Sequence, residues 1–186
     1  MADFINTIDA LGDDVVMDSI INRSITEFKD DKLAEIGNSA FRGCTALETI
    51  DFPNAKSAQK DAFSECKSLV NVSLPALETS NMQIFQNCTS LKSVSLPAHT
   101  GPLQYTFIGC TALESIDVPK ATNVANNFIE GSAIVELRLP SVVTVGNSAF
   151  RGCAKLKMVD LPVCTSIGAH SFYNLLSLNT VVLRSG

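Results

Sequence analysis

A chain of 186 residues that is 46% hydrophobic is long enough for one domain with a real core and too apolar to stay disordered. Its net charge of -5, with Lys and Arg scattered, speaks against a nucleic-acid surface, and no apolar stretch approaches the ~20 residues of a membrane helix. Two histidines and no tryptophan leave few tools for catalysis.

The N-terminus, "MADFINTIDALGDD", carries acids where a secretory signal would carry Lys or Arg, and it lacks a long apolar run. No ordinary signal peptide is expected in this chain. Next, "GDDVVMDSIINR" opens with acids suited to a helix N-terminus, and Val16/Ile20 and Met17/Ile21 recur at helical spacing. Residues 1–24 are therefore expected to form a helical N-terminal cap; a partner-docking helix is the other reading. "SITEFKDD" then fits a strand, with Ile25 and Phe28 in the positions that later segments fill with Leu and Val.

From there the chain repeats itself. "AFRGCTALETIDFP" at 40–53 returns as "AFSECKSLVNVSLP" at 62–75 and "AFRGCAKLKMVDLP" at 149–162. The anchor residues are Phe41, Phe63, Phe85, Phe107, Phe128, Phe150 and Phe172, spaced by 22 with one step of 21. Three residues on stand Cys44, Cys66, Cys88, Cys110, Gly131, Cys153 and Leu175, and six residues on stand Leu47, Leu69, Leu91, Leu113, Ile134, Leu156 and Leu178. Each unit closes with a proline at 53, 75, 97, 119, 140 or 162, except the last.

The segments "TIDF", "NVSL", "SVSL", "SIDV" and "MVDL" alternate with period two, which reads as a short half-buried strand. Their inward pairs are Ile50/Phe52, Val72/Leu74, Val94/Leu96, Ile116/Val118, Leu137/Leu139, Val159/Leu161 and Val181/Leu183. Proline after the strand removes a donor and ends the ladder. The chain is then expected to cross a loop to a short helical or 3-10 turn that puts Phe and Cys over the core. One unit cannot bury its apolar face alone, but stacked units can. Residues 25–186 are thus expected to form a solenoid of one half-repeat and seven repeats, with a parallel sheet on one face and turns on the other.

"IGNSAFRGCTALETIDFP" and "VGNSAFRGCAKLKMVDLP" resemble the BspA-like branch of the leucine-rich-repeat superfamily over about residues 25–184. The resemblance implies an α/β leucine-rich-repeat solenoid of ~22-residue units with no catalytic residues in the repeat. It also implies bacterial cell-surface proteins that adhere to host proteins, with similar repeats in phage and prophage proteins. The expected function is a non-enzymatic, adhesin-like recognition module for protein or glycan. The alternative is a structural or host-recognition component of a phage or prophage particle. Cell surface, virion and cytoplasm all stay open as locations.

Six cysteines invite a disulfide or metal reading, but no C-x-x-C pair exists. Neighbouring rungs could bring Cys Cα atoms near disulfide distance; the expectation is a column of free buried thiols. Neither His99 nor His170 has an evident nucleophile or carboxylate partner, and no metal or cofactor is expected.

Binding candidates fall into two groups. On the outward strand face, Asn71, Ser73, Ser93, Ser95, Ser115 and Asp117 form a short polar ladder, with Arg138 between the rungs of Asp117 and Asp160. A merely solvated sheet face is the competing reading. In the middle repeats the Ile-Gly or Val-Gly at 36, 145 and 167 is lost, and Met82, Gln83, Gln104 and Tyr105 are the candidates there; ordinary loop tolerance competes. The last strand ends with nothing to cover Phe172, Leu178, Val181 or Leu183, an edge suited to self-association unless the chain continues.

Overall fold

The computed structural model describes residues 25–184; the expected helical cap at 1–24 lies outside them. Three-residue strands are β1 (Glu27–Lys29), β3 (Thr49–Asp51), β5 (Asn71–Ser73), β7 (Ser93–Ser95), β8 (Ser115–Asp117), β10 (Glu136–Arg138), β12 (Met158–Asp160) and β14 (Thr180–Val182). Two-residue strands are β2 (Glu35–Ile36), β4 (Ser57–Ala58), β6 (Thr79–Ser80), β9 (Asn123–Val124), β11 (Thr144–Val145) and β13 (Ser166–Ile167). Every pairing is parallel and joins equivalent positions of successive repeats, as in Asn71↔Ser93↔Ser115 and Glu136↔Met158↔Thr180. The architecture is the stacked parallel solenoid that the repeat implies.

The three-residue strands alternate as their sequences do. Val72, Val94, Leu137 and Val159 point inward and are buried, while their neighbours on either side face outward. Phe52, Leu74, Leu96, Val118, Leu139 and Leu161 follow them into the core. The two-residue strands form a second set of ladders, which the period-two reading does not detect because two residues carry no alternation. Between β6 and β9 this second ladder lapses to a single bridge, Leu103↔Val124. Pro102 occupies the rung there and has no N–H to donate.

The expected helical or 3-10 turns are not formed: among the described residues the segment carrying Phe and Cys is a run of tight turns. The reason lies in the backbone. Each turn has a left-handed residue two before its anchor position, such as Ser39, Asp61, Gln83, Tyr105, Asn127, Ser148 and His170. A second stands four residues later: Gly43, Glu65, Asn87, Gly109, Gly131, Gly152 and Asn174. A right-handed helix cannot run through such positions. Their amides alternate instead. Ser39, Phe41 and Gly43 donate to Lys60, Ala62 and Ser64 of the next rung (2.9, 2.8 and 2.8 Å), while Ala40, Arg42 and Cys44 donate back within their own turn. Even the turn face is therefore a ladder between rungs.

The core is a set of columns. Phe41, Phe63, Phe85 and Phe107 stack with centroids 5.2, 5.4 and 5.7 Å apart and planes within 9° of parallel. The sequence register puts Phe128 next in this column, and the structure corrects it. The amide of Phe107 donates to Phe128 O where each earlier anchor donates to the residue before the next anchor. Ile129 therefore holds the anchor position, and Phe128 takes the inner position filled by Ile84 and Thr106. Its ring meets Phe107 edge-on at 71°. Likewise Ser132, not Gly131, stands in the cysteine column: Ser132 is buried, Gly131 is exposed, and Ser132 Oγ lies 3.4 Å from Cys153 Sγ. The 22-residue spacing thus persists through Ser132, and the one-residue deletion falls between Ser132 and β10. A phenylalanine adjacent to the anchor position disguised it.

At Val145-Gly146 and Ile167-Gly168 the backbones of successive rungs approach closely. A Cβ on Gly146 would stand 2.6 Å from Ala125 C, and one on Gly168 would stand 2.6 Å from Asn147 N. That explains why 145–146 and 167–168 keep glycine.

At the C-terminal rung Phe172, Leu175 and Leu178 are only half-buried, and Leu176, Val181 and Leu183 are exposed. The contrast with the interior is measurable. Phe85→Ala, which empties the middle of the aromatic column, should cost about 3–5 kcal/mol in urea denaturation, and Phe172→Ala clearly less. Equal losses would contradict the columnar core.

Candidate functional site

The outward ladder is brought together as the strand spacing implies. β5, β7 and β8 align Asn71, Ser93 and Ser115 in one row and Ser73, Ser95 and Asp117 in the next. Ser93 donates to Asn71 Oδ1 (2.6 Å) and Ser95 to Asp117 Oδ2 (3.2 Å), so part of each row's capacity is spent on its neighbour. Asn71, Ser73, Ser115 and Asp117 are exposed. Arg138 lies on a separate three-strand group with β12 and β14, where it aligns with Asp160. Its ion pair is not with Asp117 or Asp160 but with Glu136 of its own strand, at 3.8 Å and well exposed. Side chains two apart on one strand share a face, and this pair does so without reaching the acids of the next rungs.

The middle-repeat candidates sit on the turn face. Gln83 N–H donates to Gln104 O (3.1 Å), which puts Met82 and Gln83 beside Gln104 and Tyr105 on successive rungs. Met82 is exposed; Gln83, Gln104 and Tyr105 are half-buried. Gln83 Nε2 also donates to Gln86 Oε1 within its own turn (2.8 Å).

The cysteine column is a packing device. Cys66, Cys88, Cys110 and Cys153 donate their S–H to Phe41, Phe63, Phe85 and Ile129 O of the preceding rung at 3.0–3.1 Å. No disulfide joins the cysteines. Burial pushes the thiols of Cys66, Cys88 and Cys153 up, and that of Cys110 up to about 12, so they resist forming a nucleophilic thiolate. Among the described residues no group of three His, Cys, Asp or Glu gathers to hold a metal.

Two polar residues in the core were missed as a pair. The position two after the repeat proline is a column of Ala55, Leu77, His99, Ala121 and Val142, all buried, and half-buried Cys164. His99 alone is polar there. Its Nε2 lies 2.9 Å from Ser80 Oγ, and Ser80 itself stands where Ala58, Val124 and Val145 are apolar. Among the described residues its Nδ1 atom has no hydrogen-bond partner. Without a third group to orient the imidazole, the pair is not built as a nucleophile and base. Reading the column every 22 residues would have exposed it.

A further cluster escaped the sequence reading: Ser148, Arg151, His170 and Tyr173 line an open depression of about 300 Å3 on the turn face of the last two repeats. Arg151 stands 5.7 Å from the Tyr173 ring centroid, and His170 meets that ring edge-on at 6.0 Å.

The sequence pattern of the BspA type leucine-rich repeat region matches in six copies over residues 18–120 and 103–186. This chain belongs to the BspA-type leucine-rich-repeat family. Solved structures agree on the fold. A leucine-rich repeat protein from Bacteroides ovatus is 22% identical with a TM-score of 0.52, covering 88% of this chain and 56% of its own. A leucine rich cell surface protein from Faecalibacterium prausnitzii is 15% identical with a TM-score of 0.55, covering 87% and 60%. The T. pallidum leucine-rich repeat protein is 25% identical with a TM-score of 0.53, covering 81% and 64%. The BspA-type chain therefore spans about three-fifths of the length of these structures. No curated protein matches it.

Two outcomes test this reading of the polar core. Iodoacetamide should label half-buried Cys164 in the native protein well before Cys66, Cys88, Cys110 and Cys153, which should react only on unfolding. Burial holds His99 down at about 4, from the ordinary 6.5. The unfolded chain therefore takes up a proton first, and stability falls as pH drops from about 6.5 towards 4. At about pH 4.5 the loss from this residue should be on the order of 2 kcal/mol. Urea titrations should show His99→Leu, which repeats the Leu77 solution, losing less stability on acidification than the parent.

Proposed function

We propose that this chain is a non-enzymatic recognition module, adhesin-like, that takes a protein or glycan along the outward face of β5, β7 and β8. The observation that carries the proposal is the in-register face of Asn71, Ser73, Ser93, Ser95, Ser115 and Asp117. These side chains are short, so they lose little rotamer entropy on contact. They offer hydroxyl, amide and carboxylate groups at the fixed rung spacing of about 4.8 Å, which suits an extended ligand with repeating polar groups. Stacked repeats give an extended binding surface without any moving part.

The exposed Met82 and half-buried Tyr105 supply a second, more apolar contact region on the turn face, consistent with a ligand that wraps one side of the stack. A cell-surface location is part of the proposal, as the description of the Faecalibacterium prausnitzii structure has it for that protein.

Two experiments test it. A printed glycan array and an extended-peptide array identify what the parent protein captures. The variant with alanine at Asn71, Ser73, Ser93 and Ser95 should then lose about tenfold or more in affinity for that probe while keeping its unfolding midpoint. Unchanged capture would remove the strand face from the proposal. Fractionation of the native source with an antibody should recover the protein with the envelope; recovery in purified virus-like particles would put the particle-component reading in its place.

A further inference from the structure

Two repeats of this chain carry the same arginine in different company, and the difference marks a site. The repeats begin "GNSAFRGC" at 37–44 and 146–153, so Arg42 and Arg151 hold the same turn position. Arg42 is answered by the next rung: Asp61 lies 3.6 Å away and Glu65 3.4 Å away. The same two positions beside Arg151 are His170 and Asn174. No carboxylate of that rung reaches it.

On its other side Arg151 forms one ion pair, with Glu130 Oε1 at 3.8 Å, where Arg42 has two carboxylates. The other oxygen of that carboxylate, Oε2, accepts from Asn127 Nδ2. The guanidinium also rests against Tyr173, whose side chain is exposed and whose equivalent beside Arg42 is the small Ser64. Among the described residues, the side chains of Ser148, His170 and Tyr173 make no hydrogen bond, and Arg151 has its Glu130 ion pair and the Tyr173 ring. Three unbonded polar side chains and an arginine with a single carboxylate partner therefore converge on one depression of about 300 Å3.

We infer that this depression binds a carboxylated monosaccharide, a uronic or sialic acid residue. Arg151 offers paired N–H donors in the geometry of a carboxylate. The Ser148 hydroxyl, the His170 imidazole and the Tyr173 phenol each can donate and accept, which matches sugar hydroxyls better than it matches a bare anion. The volume lies at the small end of ligand pockets, the size of one sugar ring. A peptide main chain is the poorer fit, because the amides of Ser148, Phe150 and Gly152 already donate to the next rung.

This site lies on the turn face, apart from the strand face proposed above, and its test reads different residues. Amide resonances of the 15N-labelled protein are followed while adding, separately, methyl glucuronide, N-acetylneuraminic acid, methyl glucoside, acetate and a short acidic peptide. Shifts should centre on residues 148–152 and 170–174, with millimolar affinity for at least one sugar acid, about tenfold tighter than for methyl glucoside or acetate. Whichever acid binds tighter names the sugar class.

Arg151→Gln should weaken binding by about fivefold or more, and Arg42→Gln should leave it unchanged. The double variant His170→Asp with Asn174→Glu, which supplies Arg151 with the carboxylates that Arg42 has, should weaken it similarly. Asp tolerates the left-handed backbone at 170, and circular dichroism checks the fold. Equal binding of methyl glucoside or acetate, tighter binding of the acidic peptide, or indifference to Arg151→Gln would each overturn the assignment.

Discussion

The interaction on which everything else depends is the hydrogen bond from one rung to the next. In an ordinary domain a segment can satisfy its amides within its own helix or hairpin. Here Glu48 and Thr49 donate to Thr26, Lys56 donates to Ala34, and Phe41 donates to Ala62, so each side of a repeat is closed by its neighbours. An isolated repeat would leave most of these groups to water and its Phe, Cys and Leu positions uncovered. Stability is therefore a property of the stack, and it falls away at an exposed end. In the last described rung Phe172 is half-buried and Val181 is exposed.

The same constraint explains what was legible in the sequence. A residue that must match its equivalent one rung away recurs with the rung, so the strands, their inward pairs and the cysteine column could be read by spacing alone. Backbone conformation was less legible. "AFRGC" has helix-compatible residues, and Ser39 and Gln83 do not announce a left-handed backbone; Gly43, Asn87 and Asn174 tolerate one, but the demand that alternate amides reach the next rung selects it. The two-residue strands were invisible for a simpler reason, since alternation needs length. At Phe128 the pattern misled, because two adjacent inward positions accept large apolar side chains and only the hydrogen-bond ladder tells them apart.

Side-chain pairs across rungs occupy a middle ground. The Ser80–His99 pair and the Arg151–Tyr173 contact involve residues 19 and 22 apart, a separation that the repeat itself supplies. Both could have been found by writing the chain in rows of 22 and reading down the columns for departures. The strand-face ladder was found that way. What column reading cannot give is whether two neighbouring side chains spend their capacity on each other, as Ser93 does with Asn71, or leave it open, as Ser148 does in the depression beside Arg151.

That distinction bears on how a repeat protein acquires a binding site at all. Inward columns are under a common packing demand, so they differ little from rung to rung; a change such as His99 requires a partner change at Ser80. Outward columns carry no such demand, and a site arises where a residue stays the same while its neighbour changes. Arg42 and Arg151 share one local sequence and one backbone conformation at the preceding left-handed serine, Ser39 and Ser148. One guanidinium is paired with two carboxylates of the next rung; the other has Glu130 of the preceding rung and faces an imidazole and a phenol. The chemistry of the turn face is thus written in differences between adjacent repeats, on a scaffold whose backbone is fixed by their similarity.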